Sequence, residues 1–264
     1  MDVLGVAPPH FMQDEEIRLF ADMVDKFYER HAPPALCEKW REQGQVDRAL
    51  WVQAARDGLL CVSMPVEYGG GGGDYRHETI LSMAAIRRGV DGFAITLHNN
   101  IVAPYILSYG TEEQKRRWLP RLASGELIAA IAMTEPGTGS DLAAVRTTAR
   151  REGNEYVING AKTFISNGQL ANLICVVAKT DPAAGARGIS LLMVETDDAP
   201  GFRRGRNLDK VGCEAQDTSE LFFDDVRVPT ANLLGSAEGQ GFRQLGSELA
   251  KERLTIALQA VAAM

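Results

Sequence analysis

Apolar residues recur at helical spacing at Ile17, Phe20, Val24, Phe27 and Tyr28, and the acidic run Asp14-Glu15-Glu16 before them suits the positive end of a helix. Pro33-Pro34 predicts where that helix ends, because proline removes a backbone donor and clashes with the preceding turn. A second helix is predicted from Arg48 to Asp57, stopping near Gly58 ahead of the apolar run Leu59 to Met64. Pro65 to Gly69 then opens a loop through the glycines at 69–73, and Tyr75 to Arg88 again reads as a helix. From Asp91 to Tyr109 the residues are largely apolar and small. Thr111 followed by Gln114 resembles a capping box and predicts a helix carrying Lys115 to Leu122. Up to about residue 129 the pattern is that of an all-helical domain.

The texture then changes to short β-rich runs: Thr147 to Ala149, Glu155 to Ile158, Lys162 to Ile165, Leu173 to Lys179, Ile189 to Glu195 and Glu220 to Phe223. Gly153-Asn154, Asn159-Gly160 and Asn167-Gly168 read as the turns between them. Strands at this spacing predict a small barrel or sandwich over residues 130–238. After Gly239-Gln240-Gly241 the helical spacing returns at Phe242, Leu245, Leu249, Leu254, Ile256, Ala257 and Val261, and it is still running at Met264. An amphipathic helix needs cover for its apolar face, and the remaining sequence offers none, so the expectation is an incomplete chain.

Composition narrows the classes. With 264 residues, 45% hydrophobic and 24% charged, the chain can bury a sizeable core, and a net charge of −7 without a long basic run argues against nucleic acid or an anionic membrane as partner. Cys37, Cys61, Cys175 and Cys213 are widely separated and no histidine spacing matches them, which points to a reducing compartment and no metal site. The start MDVLGVAPPHFMQDEE lacks a basic segment followed by an apolar one, and no stretch of about 18 apolar residues occurs, so a cytoplasmic protein is expected.

Candidate chemistry lies in the segment Ile131-Ala132-Met133-Thr134-Glu135-Pro136-Gly137-Thr138-Gly139-Ser140-Asp141. Glycines at 137 and 139 let backbone N–H groups approach a ligand, and Thr134 and Ser140 add hydroxyls suited to flavin carbonyls and phosphate oxygens, although a plain turn has the same composition. Lys162-Thr163-Phe164-Ile165-Ser166-Asn167-Gly168 follows, and Gly212 to Pro229 contains the run Ala215-Gln216-Asp217-Thr218. In spacing and wording these three segments resemble the acyl-CoA dehydrogenase family, and the likeness extends over essentially the whole chain from about residue 14. Phe164 and Ser166, where many members carry Trp and Thr, and the Ala-Gln-Asp-Thr run are similar to the long-chain branch.

The resemblance implies an α+β multidomain fold: an all-α bundle over 1–129, a middle β-barrel or sandwich over 130–238, and over 239–264 the first helix of a C-terminal α-helical bundle. It implies FAD held by Ile131, Met133, Thr134, Gly139, Ser140, Phe164, Ile165 and Ser166, with Phe164 packing on the isoalloxazine and Ser166 directing its hydroxyl toward the flavin N5 region. Glu252, in Ala250-Lys251-Glu252-Arg253-Leu254, is similar to the catalytic base of the long-chain and isovaleryl types, and Arg253 and Ser140 to residues that bind acyl-CoA. On local evidence alone, Glu252 and Arg253 would be an ordinary solvated pair.

The implied reaction is FAD-dependent α,β-dehydrogenation of an acyl-CoA to trans-2-enoyl-CoA, with Glu252 taking the α-proton and electrons passing to an electron-transfer flavoprotein. A homotetramer is implied, its FAD also touching a neighbour's third domain, so this chain alone is expected to bind FAD poorly. The alternatives are an acyl-CoA oxidase or flavin monooxygenase on the same scaffold, and a non-catalytic acyl-CoA-binding relative. The glycines at 69–73 are not followed by Gly-Lys-Ser/Thr and read as a flexible loop. His98, Asn99 and Asn100 are assigned no chemistry.

Overall fold

The computed structural model describes residues 9–264. The reading of the extreme amino terminus, over 1–8, lies outside the described residues. Helices α1 (Glu15–His31), α2 (Pro34–Gln43), α3 (Arg48–Arg56), α4 (Tyr75–Arg87), α5 (Ala103–Tyr109) and α6 (Glu112–Ala123) form the first domain. The predicted face of α1 is inward: Ile17, Val24, Phe27 and Tyr28 are buried against a core that includes Trp40, Trp51 and Leu81.

Two expectations in this domain are corrected. Pro33-Pro34 does end α1, but it also starts α2, which was not anticipated. Pro33 caps the new helix and Pro34 occupies its first turn, where a missing N–H costs nothing. The glycines at 69–73 do not form a loose loop. The N–H groups of Gly70, Gly71, Gly72 and Gly73 bond to the carbonyls of Pro65, Cys61, Met64 and Val62 at 2.9–3.2 Å. A Cβ on Gly70 would lie 2.3 Å from the Met64 carbonyl oxygen, so glycine is required by close backbone packing.

Strands β1 (Ala129–Ala132), β2 (Thr148–Glu152), β3 (Glu155–Ser166), β4 (Leu173–Lys179), β5 (Ile189–Glu195), β6 (Phe202–Asn207) and β7 (Thr218–Pro229) make one curled seven-stranded sheet. β4 pairs in parallel with β1 and, at Lys179, with β2, while β5 pairs with it antiparallel. Both faces of β4 are covered. Leu173, Cys175 and Val177 pack with Tyr105, Trp118 and Leu122 of the helical domain, and Ile174 and Val176 face the core inside the sheet with Ile158 and Phe223. That double burial explains why this strand is an unbroken apolar run.

The predicted turn at Asn159-Gly160 is absent. β3 runs straight through it, and the two apolar runs on either side are one strand paired to β7. Asn159-Gly160 instead faces a bulge at Asp225 on β7, where φ is +51°, and β3 carries its own bulge at Phe164, where φ is +59°. β6, with the sequence FRRGRN, is not legible in the sequence because an edge strand with a largely solvated surface has no apolar alternation.

Helix α7 (Gly241–Ala263) returns to the helical domain and docks on it through a polar line. Tyr109 donates to Glu248 (2.9 Å), Tyr105 to Glu252 (2.8 Å), Gln259 to Thr96 (3.0 Å), and Tyr75 and Thr255 share a hydrogen bond (3.1 Å). Phe242, Leu254, Ile256 and Val261 remain exposed on it. Among the described residues no helix is long and apolar enough to cross a membrane, and no His/Cys/Asp/Glu group could hold a metal ion.

Candidate active site

The loop after β1 is shaped by a tight turn in which Glu135 and Thr138 exchange backbone hydrogen bonds at 2.9 and 3.0 Å. Gly139 and Ser140 beyond it are exposed. A Cβ added at Gly137 or Gly139 would meet nothing within 4 Å, so nothing in the chain itself demands glycine there and the open side is available to a ligand. Thr134 behaves differently from its expected role. Its hydroxyl donates to the Thr163 carbonyl, and Thr163 N–H returns a bond to Thr134 O at 3.0 Å. The Thr134 hydroxyl proton is therefore already committed, leaving its backbone N–H as the free donor among the described residues.

Lys162 and Glu135 form a buried ion pair at 2.9 Å just behind this loop. Burial lowers the Lys162 ammonium to about 8 against the support of Glu135. Burial also opposes ionisation of Glu135, but the Thr147 hydroxyl, Lys162 and the Arg146 N–H outweigh it and hold the carboxyl below its usual range. Neither residue was assigned a role from the sequence, although both lie inside the motifs.

Phe164 stands out as an aromatic ring 69% exposed on a strand, with a left-handed backbone that is costly for a residue bearing a Cβ. The bulge turns its side chain out of the sheet, whereas its neighbour Ile165 is 2% exposed and belongs to the sheet core. An exposed aromatic held in strained backbone points to a ligand-facing role. Ile131 and Met133 are half-buried between the helical domain and β4.

Glu252 is half-buried on α7 and accepts a 2.8 Å hydrogen bond from the hydroxyl of the fully buried Tyr105. Burial raises the Glu252 carboxyl above its ordinary value; the Tyr105 hydrogen bond opposes this, Glu248 one turn earlier adds to it, and Arg253 opposes it. Tyr105 gave no signal in the sequence, since 147 residues separate it from its partner. Arg253 is exposed and the Leu254 beside it is 49% exposed.

A cavity of about 280 Å³ lies one turn further along α7, lined by Thr255, Ile256 and Gln259, by Ser82 and Ala85 of α4, by Phe93 to Leu97, and by Ser166 at the end of β3. The structure thus brings Ser166 and the helix bearing Glu252 to one cavity. Of the residues expected at the site only Ser166 lines it; Glu252, Phe164, Thr134, Gly139, Ser140 and Arg253 do not. His98, Asn99 and Asn100 are buried. His98 accepts from Ala129 N–H and donates to Leu122 O, both at 3.2 Å, and burial lowers its pKa to about 4, so it is a neutral structural link. Asn99 accepts from Cys61 N–H (2.8 Å) and donates to Leu59 O (2.9 Å) and to the buried Glu78 (3.1 Å).

Residues 14–126 match the acyl-CoA dehydrogenase N-terminal domain and residues 130–226 the acyl-CoA dehydrogenase middle domain. The mitochondrial long-chain specific acyl-CoA dehydrogenase of Sus scrofa is 45% identical over 247 residues, which are 93% of this chain and 57% of that protein. The crystal structure of an acyl-CoA dehydrogenase from Geobacillus kaustophilus superposes with a TM-score of 0.90 at 49% identity, over 94% of this chain and 65% of that one. A glutaryl-CoA dehydrogenase from Mycobacterium smegmatis, in complex with FADH2, superposes with a TM-score of 0.84 at 33% identity, over 96% and 63%. The chain therefore spans somewhat more than half the length of the curated relative, 57% of it. With both domains matched in order over most of its residues, the chain belongs to the acyl-CoA dehydrogenase family.

Proposed function

We propose that the protein is an FAD-dependent acyl-CoA dehydrogenase that converts an acyl-CoA thioester to the trans-2-enoyl-CoA, with Glu252 as the base for the α-proton. The observation that carries this reading is the placement of Glu252, half-buried and hydrogen-bonded to Tyr105, one turn from a cavity that Ser166 also lines. A carboxylate raised by burial is a stronger base than one in water, and the partial burial of Glu252 on α7 acts in that direction.

The residues present fit a flavin. Phe164 offers an exposed ring, Gly137 and Gly139 leave one side of the loop open, and Thr134 N–H is without a partner among the described residues. Bound there, the flavin would supply the acceptor for the hydride lost from the β-carbon. Gly139 and Ser140 would reach its phosphates, and Ser140 and Arg253, both exposed, would meet the CoA portion of the substrate. The reading extends to an electron-transfer flavoprotein as acceptor, a homotetramer as the working assembly, and the cytoplasm as the compartment, the last supported by four free cysteines.

The test compares the protein at its full natural length with its Glu252→Gln variant, using an acyl-CoA and an artificial electron acceptor. Loss of the base lowers turnover by about 10²–10⁴. Unchanged turnover in the variant would remove Glu252 from the mechanism, and faster reaction with oxygen than with the acceptor would make the protein an oxidase.

A further inference from the structure

The buried pair Lys162–Glu135 ties together the two segments assigned to the cofactor. Lys162 is 1% exposed, and its ammonium donates both to Glu135 Oε1 and to the Met133 carbonyl at 2.9 Å. The Glu135 carboxylate also accepts from the Thr147 N–H (2.9 Å), the Thr147 hydroxyl (2.6 Å) and the Arg146 N–H (2.7 Å). Thr134 therefore sits between two residues that both bind Lys162, and it bonds Thr163 directly. Phe164 follows two residues after Lys162, at the bulge. The fit is close, since a Cβ on Gly160 would stand 2.3 Å from Thr147 Oγ1.

Stability alone is a poor reason for this arrangement. Desolvating two charges offsets most of their attraction, and a well-packed apolar pair of similar volume is commonly as stable or more so. An apolar pair has no direction, however, whereas a buried hydrogen-bonded network favours one placement of the groups that make it. We infer that Lys162 and Glu135 are positioning residues for the flavin, setting the register of Thr134 against Phe164 so that both segments meet the cofactor together. They act through the backbone of 133–135 and of β3. The inference rests on the flavin reading of the preceding section.

The experiment measures FAD affinity and the visible circular dichroism of bound flavin in the full-length protein and in two variants, Lys162→Met/Glu135→Gln and Glu135→Gln. In both, the Gln amide oxygen can keep the Thr147 N–H bond made to Oε1, while the Arg146 N–H bond made to Oε2 is lost. The double variant is expected to stay folded, to bind FAD at least tenfold more weakly, and to give a changed visible dichroism from the flavin it retains. The single variant is expected to fall between it and wild type. FAD affinity within twofold of wild type and an unchanged dichroic spectrum in the double variant would overturn the inference. A double variant that does not fold, beside a single variant that folds with unchanged FAD affinity, would also overturn it, because the pair would then serve stability only. A wild-type protein that binds no flavin would sink the flavin reading itself, an outcome distinct from both.

Discussion

Replacing Tyr105 by Phe removes one oxygen atom and keeps the buried ring. The only hydrogen bond that oxygen makes among the described residues is the 2.8 Å bond it donates to Glu252. It stabilises the charged carboxylate and works against the burial and the Glu248 charge that push Glu252 upward. Without it the Glu252 pKa must rise further. A hydrogen bond to a charged group contributes about 1.5–3 kcal/mol. Since Glu252 is half-buried and partly screened by water, the lower end applies, about 1.5 kcal/mol or roughly one pH unit. In the proposed role Glu252 works only when deprotonated, so kcat/KM is expected to rise with pH through the Glu252 pKa of the free enzyme. The acid limb of that profile should therefore move to higher pH by about one unit in Tyr105→Phe, with its plateau largely preserved. Glu248→Gln supplies the opposite control: it removes a like charge and should move the limb to lower pH. The assay is steady-state dehydrogenation across pH 5–9 with wild type and both variants. A limb that stays in place in Tyr105→Phe, or moves down, would refute the argument that the resting hydrogen bond sets the proton affinity of the base.

Phe164→Gly should raise thermal stability by about 0.5–1 kcal/mol net of glycine's greater unfolded-chain entropy, because the left-handed backbone at +59° is free for glycine and the exposed ring buries little. The same variant should bind FAD more weakly, so a melting curve and a flavin titration should move in opposite senses; a lowered melting point would contradict the strain argument. Gly160→Ala should destabilise by about 2–4 kcal/mol, read as a lower urea midpoint, since the new Cβ would approach Thr147 Oγ1 to 2.3 Å and its Cα to 2.8 Å. A midpoint within error of wild type would show that the strand yields at low cost. His98 gives a pH test. The unfolded imidazole takes its proton near 6.5 and the folded one only near 4, so stability falls as pH drops through that window, by up to about 3 kcal/mol. Urea midpoints at pH 7 and 5 should differ more for wild type than for His98→Gln, and equal differences would exclude His98 as the cause.

Local rules carried much of the molecule. The spacing of Ile17, Val24, Phe27 and Tyr28 and the capping pair Thr111 and Gln114 are found as α1 and α6, because helix periodicity and end chemistry are properties of neighbours in sequence. The strands of β4 and β5 were equally plain, being apolar on both faces. The motifs at 131–141 and 162–168 could be found as words, and their shared place in the structure agrees with their pairing.

What the words could not contain was decided by contacts between distant residues. Asn159-Gly160 has the composition of a turn, yet pairing with β7 keeps it in a strand, and the glycine serves to admit Thr147. The glycines at 69–73 have the composition of a flexible loop, yet carbonyls within residues 61–66 fix them. Phe164 is written as a strand aromatic and becomes an exposed one only through a bulge that the partner strand's register imposes. Glu252 shows the division most sharply. Its sequence context is that of a surface charge, and no short-range pattern names Tyr105, 147 residues away, as its partner. Helix propensity acts over a few residues, whereas burial and the hydrogen bonds that shift a carboxyl arise only where the chain folds back on itself.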